Sequence, residues 1–247
     1  MEGTAVLGRL TWQVAQVTGA KQETPRVRTI TLAPPGWPGH RAGQHVDVRL
    51  TADDGYQAER SYSIATPPGE APAITVQRLE DGEVSPYLVD EVRPGDRFEL
   101  RGPIGGYFVW DYSQGGPLLL VAGGSGIVPL MSMLRHRAAS SDPVPTRLVY
   151  SARTLEDVIY RDEVMALARE SEGVQLVLTL TRSTPPGWSG HTGRVGADLL
   201  RETDWPEEQR PLSYVCGPTS FVEAVASGLV ALGHAPERIR TERFGGA

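Results

Sequence analysis

Residues 118–122 of this chain form an unbroken apolar run, Leu-Leu-Leu-Val-Ala, that passes directly into Gly123-Gly124-Ser125-Gly126-Ile127-Val128-Pro129. A strand that is apolar on both faces has to be covered on both, as a central strand of a parallel sheet is. Short runs of the same kind recur at 147–151, 174–181 and 212–216, with helical candidates at 129–139, 155–170, 197–201 and 219–232. Alternating strands and helices predict a doubly wound α/β unit.

The preceding residues follow a different grammar. Stretches 12–17, 27–32, 45–50, 74–77 and 98–101 alternate apolar with polar side chains, the period of half-buried strands. Turn clusters separate them, among them Pro34-Pro35-Gly36, Asp53-Asp54-Gly55, Pro67-Pro68-Gly69 and Pro94-Gly95-Asp96. Short antiparallel strands of this kind predict a small closed β-barrel, because closure removes exposed edges. One short helix is expected at 85–91. The change falls in Asp111-Tyr112-Ser113-Gln114-Gly115-Gly116-Pro117, a candidate linker, which gives two domains, 1–112 and 113–247. With 247 residues, 40% of them apolar, such a chain can bury its cores without covalent staples.

Composition narrows the chemistry. Cys216 is the only cysteine, which excludes an internal disulfide, a thiolate zinc site and a cysteine-ligated iron–sulfur cluster within this chain. The five histidines show no metal-ligand spacing, so no metal is expected. A net charge of −6 argues against nucleic acid or an anionic membrane as partner. The start, MEGTAVLGRLTW, lacks a basic leader, and no apolar run reaches the ~20 residues a membrane span needs, so the expected location is cytoplasmic.

Four segments carry chemistry. Glycines at 123, 124 and 126 let a backbone approach a ligand closely, and a helix start behind them favours a phosphate; Pro129 sits where its missing N–H costs nothing. The spacing is not G-x-G-x-x-G, and a tight βα turn that binds nothing has the same look. Arg60-Ser61-Tyr62-Ser63 offers a forked cation for phosphate and, on the same side of the strand, a ring for a flat heterocycle; a surface ladder reads alike. Gly82-Glu83-Val84-Ser85 is either a second anion seat or an ordinary helix cap. Cys216 ends a strand, as a small core residue also does.

Taken in order, Arg-x-Tyr-Ser, Gly-x-x-Ser, Gly-Gly-x-Gly-x-x-Pro, Cys216-Gly217-Pro218 and Glu242-Arg243-Phe244-Gly245 resemble the ferredoxin–NADP(+) reductase family over roughly residues 10 to 245. The resemblance implies a flavin-binding barrel followed by a pyridine-nucleotide domain. It implies that Arg60 binds flavin phosphate, with Ser61 also a cofactor-binding residue, that Tyr62 packs on the isoalloxazine and that Ser63 lies near its N5. Thr75, Val76 and Gln77 match a flavin-contacting strand. Glu83, Val84 and Ser85 match a pyrophosphate seat, which favours FAD over FMN. Gly123, Gly124, Ser125, Gly126 and Pro129 match the dinucleotide turn. Cys216, Gly217 and Pro218 match the loop beside the nicotinamide, and Glu242 and Phe244 the family's terminal acid and aromatic. Simple core packing also explains Phe244.

For the ribose 2′-phosphate, Ser151 and Arg153 follow the second α/β strand and Thr181 and Arg182 the third, with no Asp or Glu at the end of the second. NADPH is therefore favoured over NADH. The resemblance implies hydride transfer to flavin, with Ser63, Cys216 and Glu242 around the reacting atoms. Electrons would leave to ferredoxin, flavodoxin or a partner oxygenase or redox subunit. A reductase of free flavin and a non-catalytic nucleotide-binding regulatory module are the alternatives. Arg135-His136-Arg137 either complements a helix C-terminus or forms a docking spot for an acidic carrier.

Overall fold

The structure is a computed structural model describing residues 10–141, 143–171, 173–205 and 209–245. Residues 1–9, most of the N-terminal stretch MEGTAVLGRLTW, lie outside the described residues. The alternating segments become β1 (Gln13–Thr24), β2 (Val27–Ala33), β3 (His45–Thr51), β4 (Gln57–Ser63), β5 (Ala73–Gln77) and β6 (Arg97–Ile104). They form one antiparallel sheet in the order β4-β3-β6-β1-β2-β5. A bridge between Ile64 and Ile74 and an N–H···O bond of 2.7 Å from Ala65 to Ala73 draw the two outer strands together. The sheet thus rolls around Ala15, Val17, Ile30, Leu32, Val46, Val48, Val76 and Leu100. Alternation decides which side chains enter that core.

The second half is β7 (Leu118–Gly123), α1 (Ile127–Ala138), β8 (Thr146–Ala152), α2 (Arg161–Glu170), β9 (Val174–Leu180), β10 (His191–Thr192), α3 (Ala197–Thr203), β11 (Leu212–Pro218), α4 (Thr219–Ala231) and β12 (Ile239–Phe244). Its sheet is parallel, in the order β10-β9-β8-β7-β11-β12. The apolar run of β7 divides between two layers. Leu118, Leu120 and Ala122 join Leu130, Leu134 and Val164 of α1 and α2, whereas Leu119 and Val121 join Leu200, Val222 and Val225 of α3 and α4.

One expectation is corrected. The helix expected over 155–170 starts only at Arg161, because Ile159 donates its N–H to the buried Tyr150 hydroxyl at 3.1 Å and Tyr160 takes a left-handed φ of 57°. The helix expected over 85–91 is present, its backbone helical from Ser85 onward and π-type over Tyr87–Glu91. The candidate linker at 111–117 is a packed corner. Asp111 accepts the Ser113 N–H at 2.9 Å, and the Tyr214 hydroxyl reaches back to the Val109 carbonyl at 2.8 Å.

The halves are joined through polar bonds. Ser132 donates to the Thr66 carbonyl at 2.6 Å, Arg135 to that of Ala65 at 2.7 Å and Arg240 to that of Val109 at 2.6 Å. Arg135 also forks onto Glu163, while Arg137 is buried and donates to the Val144 carbonyl at 2.6 Å. These two cations point inward, which leaves the helix-end reading of Arg135-His136-Arg137 and removes the docking spot.

Candidate active site

From β7 the chain winds outward through β8, β9 and β10, then crosses back to place β11 and β12 on the other side of β7. Ligands of open α/β sheets bind where strand order reverses in this way, outside the carboxyl ends. Gly123 to Gly126 and Cys216-Gly217-Pro218 end the two strands flanking that point. They meet closely: a Cβ on Gly126 would stand 2.0 Å from the Cys216 carbonyl oxygen. Gly124, at φ +56°, has nothing within 4 Å of the same position, so its backbone faces open space. Pro129 is buried in the first turn of α1, and Ser125 is half-buried above it.

Across the adjacent pair of strands, Cys216 stands opposite Glu242. Cys216 is buried and Glu242 half-buried, and desolvation pushes the Glu242 carboxyl up to about 7 and the Cys216 thiol well above its usual range. Oε2 of Glu242 is enclosed and has no hydrogen-bond partner. Its Oε1 lies 4.0 Å from Nδ1 of His45 in β3, and His45 pairs directly with Ser63 of β4. Burial lowers the His45 pKa. Ser63, His45, Glu242 and Cys216 therefore form a line from the barrel into the α/β unit.

On β4, Tyr62 and Arg60 pair with the inward-facing Val46 and Val48, while Ser61 and Ser63 face the other side. The Tyr62 ring packs on the barrel core, and burial pushes its hydroxyl up to about 12. Ser61 donates to Asp47 at 2.6 Å, and Asp47 also takes Arg101, so this hydroxyl is committed away from Arg60. Arg60 holds Oε2 of Glu83 at 2.8 Å, whose Oε1 accepts from the Tyr56 hydroxyl at 2.8 Å. The N–H groups of Glu83 and Val84 have no hydrogen-bond partner among the described residues.

The remaining expected flavin residues are scattered. Thr75 is buried, sharing a 2.8 Å bond with Thr29 and a shorter one with the Tyr160 hydroxyl, at the seam between the halves. Val76 and Val84 fill the barrel core, and Gln77 is half-buried beside it. The Ser85 hydroxyl is taken by the Leu79 N–H at 3.0 Å. Side chains at 75, 76, 84 and 85 are thus spent on packing, and backbone is what this segment can offer a ligand.

At the outer rim, N–H groups of Thr181 and Arg182 bond the carbonyls of Ala152 and Arg153, each at 2.9 Å. This ties the loops after β8 and β9 side by side. Arg153 and Arg182 are exposed there, and neither has an ion-pair partner among the described residues. Ser151 is buried at the end of β8, Thr181 is half-buried beside it, and Phe244 pairs with Pro218 at the end of β12. A guanidinium that already grips an anion, a free amide at Glu83, a glycine cradle and an enclosed carboxylate oxygen fit a flavin phosphate on one side and a dinucleotide on the other.

Residues 19–109 match the oxidoreductase FAD-binding domain family and residues 120–227 the oxidoreductase NAD-binding domain family. The chain is 36% identical to "Ferredoxin--NADP reductase B" of Sorangium cellulosum over 82% of its own length and 84% of the relative's. It belongs to the ferredoxin–NADP reductase-like flavoprotein family. It is an NAD(P)H-dependent flavoprotein reductase, with an FAD-binding and an NAD-binding domain. A second relative, the "Glycine betaine monooxygenase reductase subunit" of Chromohalobacter salexigens, is 32% identical over 83% of this chain, which spans only 56% of that protein. Among solved structures, that of the Amycolatopsis cytochrome P450 reductase GcoB superposes with a TM-score of 0.83 at 26% identity, covering 98% of this chain and 73% of the other.

Members of this family need two cofactor seats, and two residues of the site, His45 and Tyr160, were not legible as part of them. His45 could have been found, since any hairpin register that puts β3 beside β4 sets a residue opposite Ser63. The grip of Glu83 on Arg60 spans 23 residues and has no local signal. Tyr160 reads in sequence as an ordinary helix residue.

Proposed function

We propose that this reductase takes reducing equivalents from NADPH, with NADH as the weaker donor, into bound FAD and passes them to a separate acceptor. Ferredoxin, flavodoxin or the oxygenase subunit of a two-component system is the acceptor class. The observation that carries this reading is the line of Ser63, His45, Glu242 and Cys216 across the switch point, with 4.0 Å between His45 and Glu242. The names of the Sorangium and Chromohalobacter relatives support it. When bound, FAD supplies hydride acceptance and the release of single electrons.

The protein's own residues bind and align. Arg60 and the free amide of Glu83 hold flavin phosphates, and Tyr62 offers a flat face for the ring system. Ser63 and Glu242 border the reacting atoms, and Glu242, titrating near neutrality, takes up or releases a proton at Oε2. Cys216 stays protonated and acts as a small neutral neighbour. Gly123 to Gly126 seat the pyrophosphate of the dinucleotide, while Arg153 and Arg182, with Ser151 and Thr181, hold the 2′-phosphate. The flavin part is taken as 1–112 and the nucleotide part as 113–247, in a cytoplasmic protein. No helix among the described residues is long and apolar enough to cross a membrane.

The test is anaerobic mixing of the yellow protein with NADPH and, separately, NADH, followed by visible absorbance. Bleaching that is faster with NADPH is expected; no bleaching with either would end the reading. A reductase of exchangeable flavin is the second reading, favoured by the hold of Glu83 on Arg60. Colour lost on gel filtration would support it.

A further inference from the structure

Arg60 is the side chain of β4 best suited to phosphate, yet its guanidinium is engaged. Nη2 lies 2.8 Å from Oε2 of Glu83, and Nη1 donates to the Glu59 carbonyl at 2.7 Å. Glu83 is held in turn at its other oxygen by the Tyr56 hydroxyl at 2.8 Å. These two bonds, Tyr56 first and Arg60 second, keep the Glu83 carboxyl below its ordinary range, so it is an anion at neutral pH. Both ends of the ion pair are about half exposed, at 52% and 48%, so an incoming ligand can reach it.

A carboxylate and a phosphate present oxygens to guanidinium in the same forked geometry, and one guanidinium edge cannot serve both fully. The amide of Glu83, an exposed residue, has no hydrogen-bond partner among the described residues and adds to the phosphate's side of the exchange. We propose that Glu83 is a built-in competitor for the flavin phosphate. Its carboxylate occupies Arg60 until a phosphorylated flavin displaces it, so Glu83 sets how tightly this protein holds FAD. The inference rests on the reading of Arg60 as a phosphate ligand.

Three probes separate the two ideas: FAD, FMN and riboflavin, which has the ring but no phosphate. Each is titrated into the full chain stripped of flavin, and binding is read from quenching of flavin fluorescence. An exposed ion pair is weak, so Glu83→Gln should tighten FAD and FMN by about two- to fivefold. Riboflavin should be unmoved by the same change. Tyr56→Phe, which frees the carboxylate from its second anchor, should shift FAD and FMN in the same direction by less. Glu83→Ala serves as a second variant and should behave as Glu83→Gln does. Unchanged or weaker FAD binding in both Glu83 variants would overturn the proposal, as would equal tightening of riboflavin. Arg60→Ala should weaken FAD and FMN by about tenfold or more and spare riboflavin. If it does not, the phosphate assignment of Arg60 is what fails, and the proposal goes with it.

Discussion

Glu242 stands directly opposite Cys216 on neighbouring parallel strands, with one carboxylate oxygen enclosed and unpartnered. Its pKa of about 7 lies above the ordinary 4.5, so the folded chain binds this proton more tightly than the unfolded one. The stabilisation is full below about pH 4.5 and is lost as pH rises through 7, at most about 3 kcal/mol in all. His45, lowered by burial, contributes in the opposite sense. Comparison with Glu242→Gln isolates the carboxyl. Between about pH 5 and pH 8 the melting temperature of the wild type should fall relative to the variant. Parallel curves would show that Glu242 titrates normally.

Gly126→Ala should be far more damaging than Gly124→Ala. The first puts a methyl group 2.0 Å from the Cys216 carbonyl and forces the two site loops apart, a cost of about 3 kcal/mol or more. The second meets no atom within 4 Å and adds only the strain of a left-handed alanine, about 1–2 kcal/mol. Thermal melts rank the two. Equal losses would mean that the loops do not meet as described.

Tyr160 ties the halves together through Thr75, with Arg135 lying 4.8 Å over its ring. Tyr160→Phe removes one buried hydrogen bond and should cost about 1 kcal/mol, some ~2–4 °C in melting temperature. A double-mutant cycle with Thr75→Val tests the bond itself, because partners in contact lose stability less than additively. Strict additivity would dissolve the tether.

Arg182→Ala and Arg153→Ala should each lower kcat/KM for NADPH, and together by about 10- to 100-fold. NADH turnover should stay within about threefold, since that donor lacks the 2′-phosphate. Equal losses with both donors would assign the pair to general positioning instead.

Much of the architecture is legible along the chain because it depends on neighbours in sequence. The period-2 segments became barrel strands, and the continuous run at 118–122 became the central strand β7, since burial on one or two faces writes those patterns directly. The helix before Glu170 was overread at its start. There a buried tyrosine hydroxyl claims a backbone amide that the helix would have used.

Site chemistry divides along the same line. Residue type and order alone determined that Arg60, Tyr62, the glycine turn and Glu242 belong to one kind of protein. Only folding decided that Thr75 turns to Tyr160, that Ser61 is given over to Asp47, and that His45 comes within reach of Glu242. The reason is physical: backbone preference and burial period act over a few residues. A close approach between positions 197 apart, such as 45 and 242, exists only once strand order and register have placed both groups at one end of two sheets.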